Sequence, residues 1–496
     1  MSNYYSKSKF VLFHGCHKRL WLEYNRREHK QEVKNDTQLI NGNLIGDLAM
    51  GLFGDFYLAE TSDNNLPQQA LNTREALERG ESVICEAAFF YENHYCAVDI
   101  LVNDGDGYSV YEVKSTTGLL PHYYYDLAYQ YFVLKNLGLK INSLHLININ
   151  KEYILDGELN LNEYFLKHDL TEQVMEKYDE VCELLELSDS ILNSDIEPES
   201  IISSACNKYN GCPFLTYCKQ YKNIPLENSV FDLYSNRNKA KQANSGINTF
   251  NDILNNNIKL TDIQRRQIEF ALYNKDEIYV EKNKIKEFLE SFVFPLYFFD
   301  FETYQDAIPK YQGMKPYQQI PFQYSLHILY EDGTLEHKEY LGDGFNNPIE
   351  GLVKSMIDDL GEVGSVVAYN DSFEKGRIQE LAHFFVEYKE KLESFLPRFV
   401  DLADVFQKGY CYNRLMGGSF SIKSILPALF PDDETLNYAN LADVHKGDEA
   451  SATYLLLSNM NEEEYKQKRN SLLAYCKLDT YAMVKIYQKL LELIEK

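Results

Sequence analysis

The chain has 496 residues, too many for a single hydrophobic core, and 45% of them are hydrophobic, enough to build two large domains. Asp and Glu number 75 against 49 Lys and Arg, a net charge of −26, which argues against a protein that coats a nucleic-acid backbone through a basic surface. An enzyme acting on such a backbone is not excluded, because metal ions held by carboxylates bring positive charge to the phosphate locally.

Neither the first 18 residues nor any later stretch forms an apolar run of signal-peptide or membrane-span length, so the expected setting is cytoplasmic, with no membrane partner. Nine cysteines at uneven spacing fit metal ligation in a reducing compartment better than a disulfide framework. Short β-branched and aromatic runs over 83–90, 95–102 and 108–114 are separated by Asn93 and by the turn residues 103–107, and they predict a three-strand meander. A helix over 127–137, a strand over 143–148 and a long acidic helix over 169–192 complete an α/β domain ending near residue 222. Residues 223–290 are polar and Asn-rich and read as a small helical connector, clearest over 261–273; its Lys282, Lys284 and Lys286 are the candidate basic groove. From 291 the pattern changes to strands over 295–303, 322–330 and 365–369 followed by helices, a second α/β domain reaching residue 496.

Two carboxylate sets stand out. Glu112 and Lys114 lie at i and i+2 on one strand, so both side chains emerge on the same face, and Asp99 sits on the preceding strand of the hairpin. Asp99 and Glu112 can converge on one divalent cation while Lys114 orients the attacking water. The set Asp99, Glu112, Lys114, followed by Gln130 on a helix, resembles the PD-(D/E)XK nucleases, specifically their RecB-like branch. That resemblance implies a restriction-endonuclease-like fold in which Asp99 and Glu112 hold Mg²⁺ or Mn²⁺, Lys114 is catalytic and Gln130 steadies the site. Leu134 stands where the family has Tyr. The family's early helical His is absent around Gly42 to Gly46, and Glu86 is the candidate substitute ligand.

Cys206, Cys212 and Cys218 form a tight cluster, and Cys16, just before an apolar helix, is the candidate fourth ligand. One early cysteine and three after the nuclease core resemble the iron–sulfur RecB-like nucleases, which implies a 4Fe-4S cluster; the gap between Cys206 and Cys212 is wider than that family's. Structural Zn²⁺ is the alternative. The other five cysteines, Cys476 among them, lie in apolar patterns and are expected in cores.

Asp300 and Glu302 end a buried strand on one face, able to bridge a pair of metals, and Tyr475 and Asp479 are one helical turn apart far downstream. Asp479 would complete the metal cage and the Tyr475 phenol would position water. With Glu374 in the middle motif, these resemble the ribonuclease-H-like, DnaQ-type 3′→5′ exonucleases of the tyrosine subgroup. The resemblance implies metal ligation by Asp300, Glu302, Glu374 and Asp479, with Asp371 as the reserve ligand; Glu374 stands where that family has Asp. The stretch containing Asp401, Ser419, Lys423 and Leu426 resembles its later helices.

Taken together, an α/β PD-(D/E)XK domain (1–222) joined by a helical connector (223–290) to a DnaQ-type domain (291–496) resembles a group of bacterial proteins with that fusion. It implies a metal-dependent nuclease acting on DNA, in repair, recombination or defence against foreign DNA. The alternatives are a nucleic-acid-binding scaffold with degenerate sites and an RNA 3′→5′ exonuclease.

Overall fold

The computed structural model describes residues 4–32, 36–61, 65–199, 201–207, 211–273, 275 and 278–495. It is mixed α/β and divides into two compact units, Met1–Ile224 with Asp306–Tyr317, and Pro225–Gln305 with Gln318–Lys496. The stretch read as a connector packs as part of the second unit, where Lys284 and Lys286 are paired with Glu287 and Glu290 on their own helix.

The first unit is built on a sheet whose long strands are β1 (Val83–Tyr91), β2 (His94–Asn103), β3 (Tyr108–Lys114), β4 (Ile141–Ile149) and β5 (Phe165–Asp169), in that order. β1 to β3 are the antiparallel meander; β4 joins β3 in parallel, and β5 returns antiparallel. A two-residue strand, Tyr5–Ser6, adds to β2 at His94 and Tyr95 and runs directly into helix α1 (Lys7–Gly15), capped by the Ser6 hydroxyl. Helices α2 (His17–Asn25), α3 (Asp36–Met50), α4 (Leu66–Arg79), α5 (His122–Asn136), α6 (Thr171–Leu192) and α7 (Leu215–Tyr221) follow in chain order. One core joins the sheet to α5 and α6 through residues such as Val98, Val110, Leu127 and Val181.

A second core of this unit, around Cys85, Ile147 and Tyr164, includes Ala307, with Ile308 and Tyr317 packed against it. Residues 306–317 therefore lie in the unit formed by 1–224, although in sequence they separate two strands of the other. Leu155 and Met314 anchor the segment by backbone hydrogen bonds, Gln312 bonds Gly157 twice, and Tyr164 and Tyr317 donate to Ala307 and Ser115.

The second unit carries β6 (Leu296–Tyr304), β7 (Ile320–Leu329), β8 (Leu335–Leu341), β9 (Ser365–Ala368) and β10 (Phe399–Asp401). Their order is β8-β7-β6-β9-β10, with β6, β7 and β8 antiparallel and β9 and β10 parallel to β6. Residue Gly364 has φ +100°, and a Cβ there would sit 2.1 Å from the Pro295 carbonyl oxygen, so only glycine lets β9 start beside β6. All ten residues of β7 are buried, as expected of a strand covered on both faces. Phe298, Phe299, Tyr324 and Leu326 fill the core at about 1.5–3 kcal/mol for each such side chain buried.

Helices α8 (Ser372–Phe384), α9 (Ile422–Leu429), α10 (Gly447–Leu456) and the 34-residue α11 (Glu462–Glu495) complete the arrangement used below. Register decides what α11 covers. Ser325 pairs with Asp300 and Gln323 with Glu302, so these four side chains share a face. Ser325 bonds Thr480 at 2.8 Å and Gln323 donates to the Leu472 carbonyl at 2.9 Å, so α11 lies across that face.

Candidate metal centres

In the first unit, β2 and β3 bring Asp99 beside Glu112, and the Val113 N–H donates to Asp99 Oδ2 at 2.6 Å. The Glu112 carboxylate is only 1% exposed and is surrounded by donors: Lys114 Nζ at 2.7 Å, Gln130 Nε2 at 2.6 Å, and Lys7 Nζ at 2.6 and 2.8 Å to its two oxygens. Lys114 also bridges to Asp126 at 2.8 Å and lies over the Tyr123 ring. The arrangement thus unites Asp99, Glu112, Lys114 and Gln130 as sequence reasoning grouped them. It adds Lys7 and Asp126, which that reasoning missed.

The electrostatics of these acids differ. Burial alone would raise the Glu112 carboxyl, but Lys114 and Lys7 outweigh it and hold it down at about 2. Burial, with the neighbouring Glu112 charge, pushes Asp99 up to about 6. Burial, then the charges of Asp99 and Glu60, push Glu86 up to about 8. Its backbone is unusual: φ is +52° in mid-strand, a left-handed conformation that costs a non-glycine residue about 1–3 kcal/mol. Gly42 and Gly46 lie on α3, where a Cβ would meet nothing within 4 Å.

In the second unit, β6 supplies Asp300 and Glu302, α8 supplies Glu374, and α11 supplies Tyr475, Cys476 and Asp479. Burial, then the charges of Asp479, Glu302 and Glu374, push Asp300 well above the usual carboxylate range; burial, Asp479 and Glu374 do the same to Glu302. Burial raises Glu374 to about 8 and Asp479 to about 6. Asp479 and Glu374 thus act on both strand carboxylates, Lys423 offsets part of the charge at Glu302 and Asp479, and a divalent cation would relieve the rest. One buried Glu374 oxygen, Oε2, also has no hydrogen-bond partner. The residues present therefore fit a metal at this site.

The Tyr438 hydroxyl donates to Asp479, and Lys423 reaches the Tyr475 hydroxyl at 3.4 Å and the His445 carbonyl at 2.8 Å. Tyr438 escaped sequence reasoning because it sits on an isolated 3₁₀ turn with no motif spacing. Cys476, expected as a core residue, is fully buried but also places its sulfur 3.8 Å from Asp300 Oδ2. Among the described residues, Asp300, Glu302 and Cys476 are the one group whose possible ligand atoms all fall within 4.8 Å of one another. Asp371 is engaged by Lys375 at 2.5 Å, and Asp401 accepts backbone N–H groups of Asn370 and Ala403.

The four cysteines singled out in the sequence, Cys16, Cys206, Cys212 and Cys218, line one cavity of about 420 Å³. Cys16 stands at the N-cap position of α2, and burial pushes its thiol up, an effect that the Arg19 and Lys18 backbone N–H groups only partly offset. Burial raises the Cys212 thiol to about 11. Trp21, Leu22 and Phe214 pack against Cys212 and Cys218, with the Trp21 ring 3% exposed and its Nε1 donating to the Ser194 carbonyl at 3.0 Å.

With this geometry in place, comparison with known proteins gives two findings. The family model described as "Domain of unknown function (DUF2779)" matches residues 297–421, which contain Asp300, Glu302 and Glu374 and stop before Tyr475 and Asp479. The chain is similar to "Uncharacterized protein MG366" of Mycoplasma genitalium, at 27% identity over 308 residues, covering 57% of this chain and 42% of that protein. It is also similar to the homolog of MG366 in Mycoplasma pneumoniae, 27% identical over 293 residues, and to "Uncharacterized protein UU173" of Ureaplasma parvum, 28% identical over 270 residues. The chain spans about two fifths of the length of these curated relatives. No helix among the described residues is long and apolar enough to cross a membrane.

Proposed function

We propose that the chain is a metal-dependent nuclease, acting on DNA, with a PD-(D/E)XK centre in the first unit and a DnaQ-type exonuclease centre in the second. The observation that carries the reading is one buried pocket in which the charges of Asp479, Glu302 and Glu374 all bear on Asp300, and those of Asp479 and Glu374 on Glu302. Bound Mg²⁺ or Mn²⁺ would supply charge stabilisation at the phosphate and a nucleophilic water. Asp300, Glu302, Glu374 and Asp479 would hold it; the Tyr475 phenol, steadied by Lys423, would orient the water, and Tyr438 would hold Asp479 in place. In the first unit Asp99, Glu112 and Glu86 would be the ligands, Lys114 would stabilise the developing charge, and Gln130 would fix Glu112.

The deciding experiment compares wild type, Lys114→Ala and Asp300→Ala on end-labelled single- and double-stranded DNA and RNA, with Mg²⁺, Mn²⁺ or chelator. Chelator-sensitive cleavage, with one component lost in each variant, is expected. Cleavage unchanged in both variants sinks the assignment, and activity on RNA alone moves the substrate to RNA.

The cavity lined by Cys16, Cys206, Cys212 and Cys218 supports a cysteine-held 4Fe-4S cluster, with structural Zn²⁺ as the alternative. Protein purified without air is expected to be brown and to hold about four iron atoms per chain, and Cys212→Ala should lose them. A colourless protein containing one zinc would overturn this part of the reading.

A further inference from the structure

Lys7 is the residue of the first site that neither motif nor spacing announces. Its ammonium spans both oxygens of Glu112, a carboxylate that already receives Lys114 and Gln130. With four donor contacts, Glu112 has no open coordination position for a metal. Of its three partners, Gln130 is fully buried and Lys114 is tied to Asp126 as well, so neither is free to leave. Lys7 and Lys114 are equally exposed, at 20% and 21% against 1% for Glu112, so what distinguishes Lys7 is that, among the described residues, it makes no second ion pair of the kind that ties Lys114 to Asp126.

Helix α1 itself gives Lys7 no favourable position. It is the first residue of α1, after the Ser6 cap, where the helix dipole disfavours a cation. Among the described residues, its hydrogen-bond and ion-pair partner is Glu112, 105 residues away in sequence. The strand Tyr5–Ser6, hydrogen-bonded beside β2, aims it there.

Resting on the reading of this site as a metal centre, we infer that Lys7 is a resident counter-ion that occupies the metal's place on Glu112, so that metal loading is an exchange of one cation for another. The Lys7 ammonium shields the buried carboxylate in the metal-free protein, and it swings out to solvent when a divalent ion takes the Glu112 oxygens. Lys7 is thus a positioning and gating residue, setting how tightly the first site holds metal.

The test uses the full chain and Mn²⁺ as the probe. Acetylation of Lys7 by an amine-reactive ester, followed by peptide mass spectrometry, is expected to be slow in chelator and several-fold faster with saturating Mn²⁺. Lys7→Met should bind the Glu112-dependent Mn²⁺ at least about tenfold tighter, since a competing charge-assisted bond is gone. Glu112→Gln is the control: it should remove one class of bound Mn²⁺ counted by electron paramagnetic resonance. If it removes none, the first site is not a metal centre and the inference falls with that reading. If it removes one, but Mn²⁺ leaves Lys7 labelling unchanged or slower, the inference alone is overturned. Unchanged or weaker Mn²⁺ affinity in Lys7→Met overturns it too, and should that variant not fold, the labelling of the unmodified chain decides.

Discussion

Asp300→Asn is expected to lower Mg²⁺-dependent 3′-end shortening by at least about a hundredfold, the upper end of what even outer-shell changes cost a metal site, while making the metal-free protein more stable. Both effects have one origin. Asp300 is buried among Asp479, Glu302 and Glu374, so its charge is needed by a bound cation and is unfavourable without one. The pH dependence has a definite sign. These carboxyls have folded-state values above the ordinary range, well above it at Asp300 and Glu302 and about 8 at Glu374, so the folded chain binds protons that the unfolded chain has released. Their contribution to stability is therefore present at low pH and is lost as pH rises from about 4 through the folded values. Thermal melts in chelator should show the gap between wild type and Asp300→Asn widening with pH across that window, each kcal/mol appearing as about 2–4 °C. A gap that narrows with pH, or an Asp300→Asn protein that melts earlier than wild type, contradicts this account.

A fragment ending at residue 224 is expected to fold poorly or not at all, despite containing the whole first sheet. It lacks residues 306–317, which contribute the buried Ala307 and Met314, together with Ile308 and Tyr317, to that unit's packing. The six hydrogen bonds from this segment to Ser115, Leu155, Gly157 and Tyr164 contribute about 0.5–1.5 kcal/mol each. Their loss, on the order of 5 kcal/mol, is comparable to the whole stability of a typical domain. Circular dichroism and melting of the fragment, with and without residues 306–317 fused through a flexible linker, measure the contribution. Equal melting temperatures for the two would refute it.

These cases mark where the sequence was legible. Strands β1 to β3 were readable because alternation and turn residues coincide, and β6 because a hydrophobic run ends in two acids at i and i+2. Within each site the acids were legible for the same reason: side chains two apart on a strand, or four apart on a helix, share a face whatever the tertiary fold. Lys7 was not, because a lysine in a polar start has no periodicity, and its partner is fixed by the strand pairing of Tyr5 and Ser6 with β2. Nor was the 306–317 segment, whose Pro, Gly and Lys content reads as a linker while its partners around Leu155 lie some 150 residues away. Cys476 shows a subtler limit. An apolar pattern foretold its burial, but burial beside α11's neighbours Asp300 and Glu302 makes it part of the acid pocket.

Trp21 carries a practical consequence. It is the only tryptophan in 496 residues, and it packs where Cys212 and Cys218 border their cavity. All tryptophan emission from the chain therefore originates at one point, next to these thiols. The brightness of that single emitter will follow whatever fills, empties or oxidises this corner, giving the protein an optical gauge of its cysteine centre without any label.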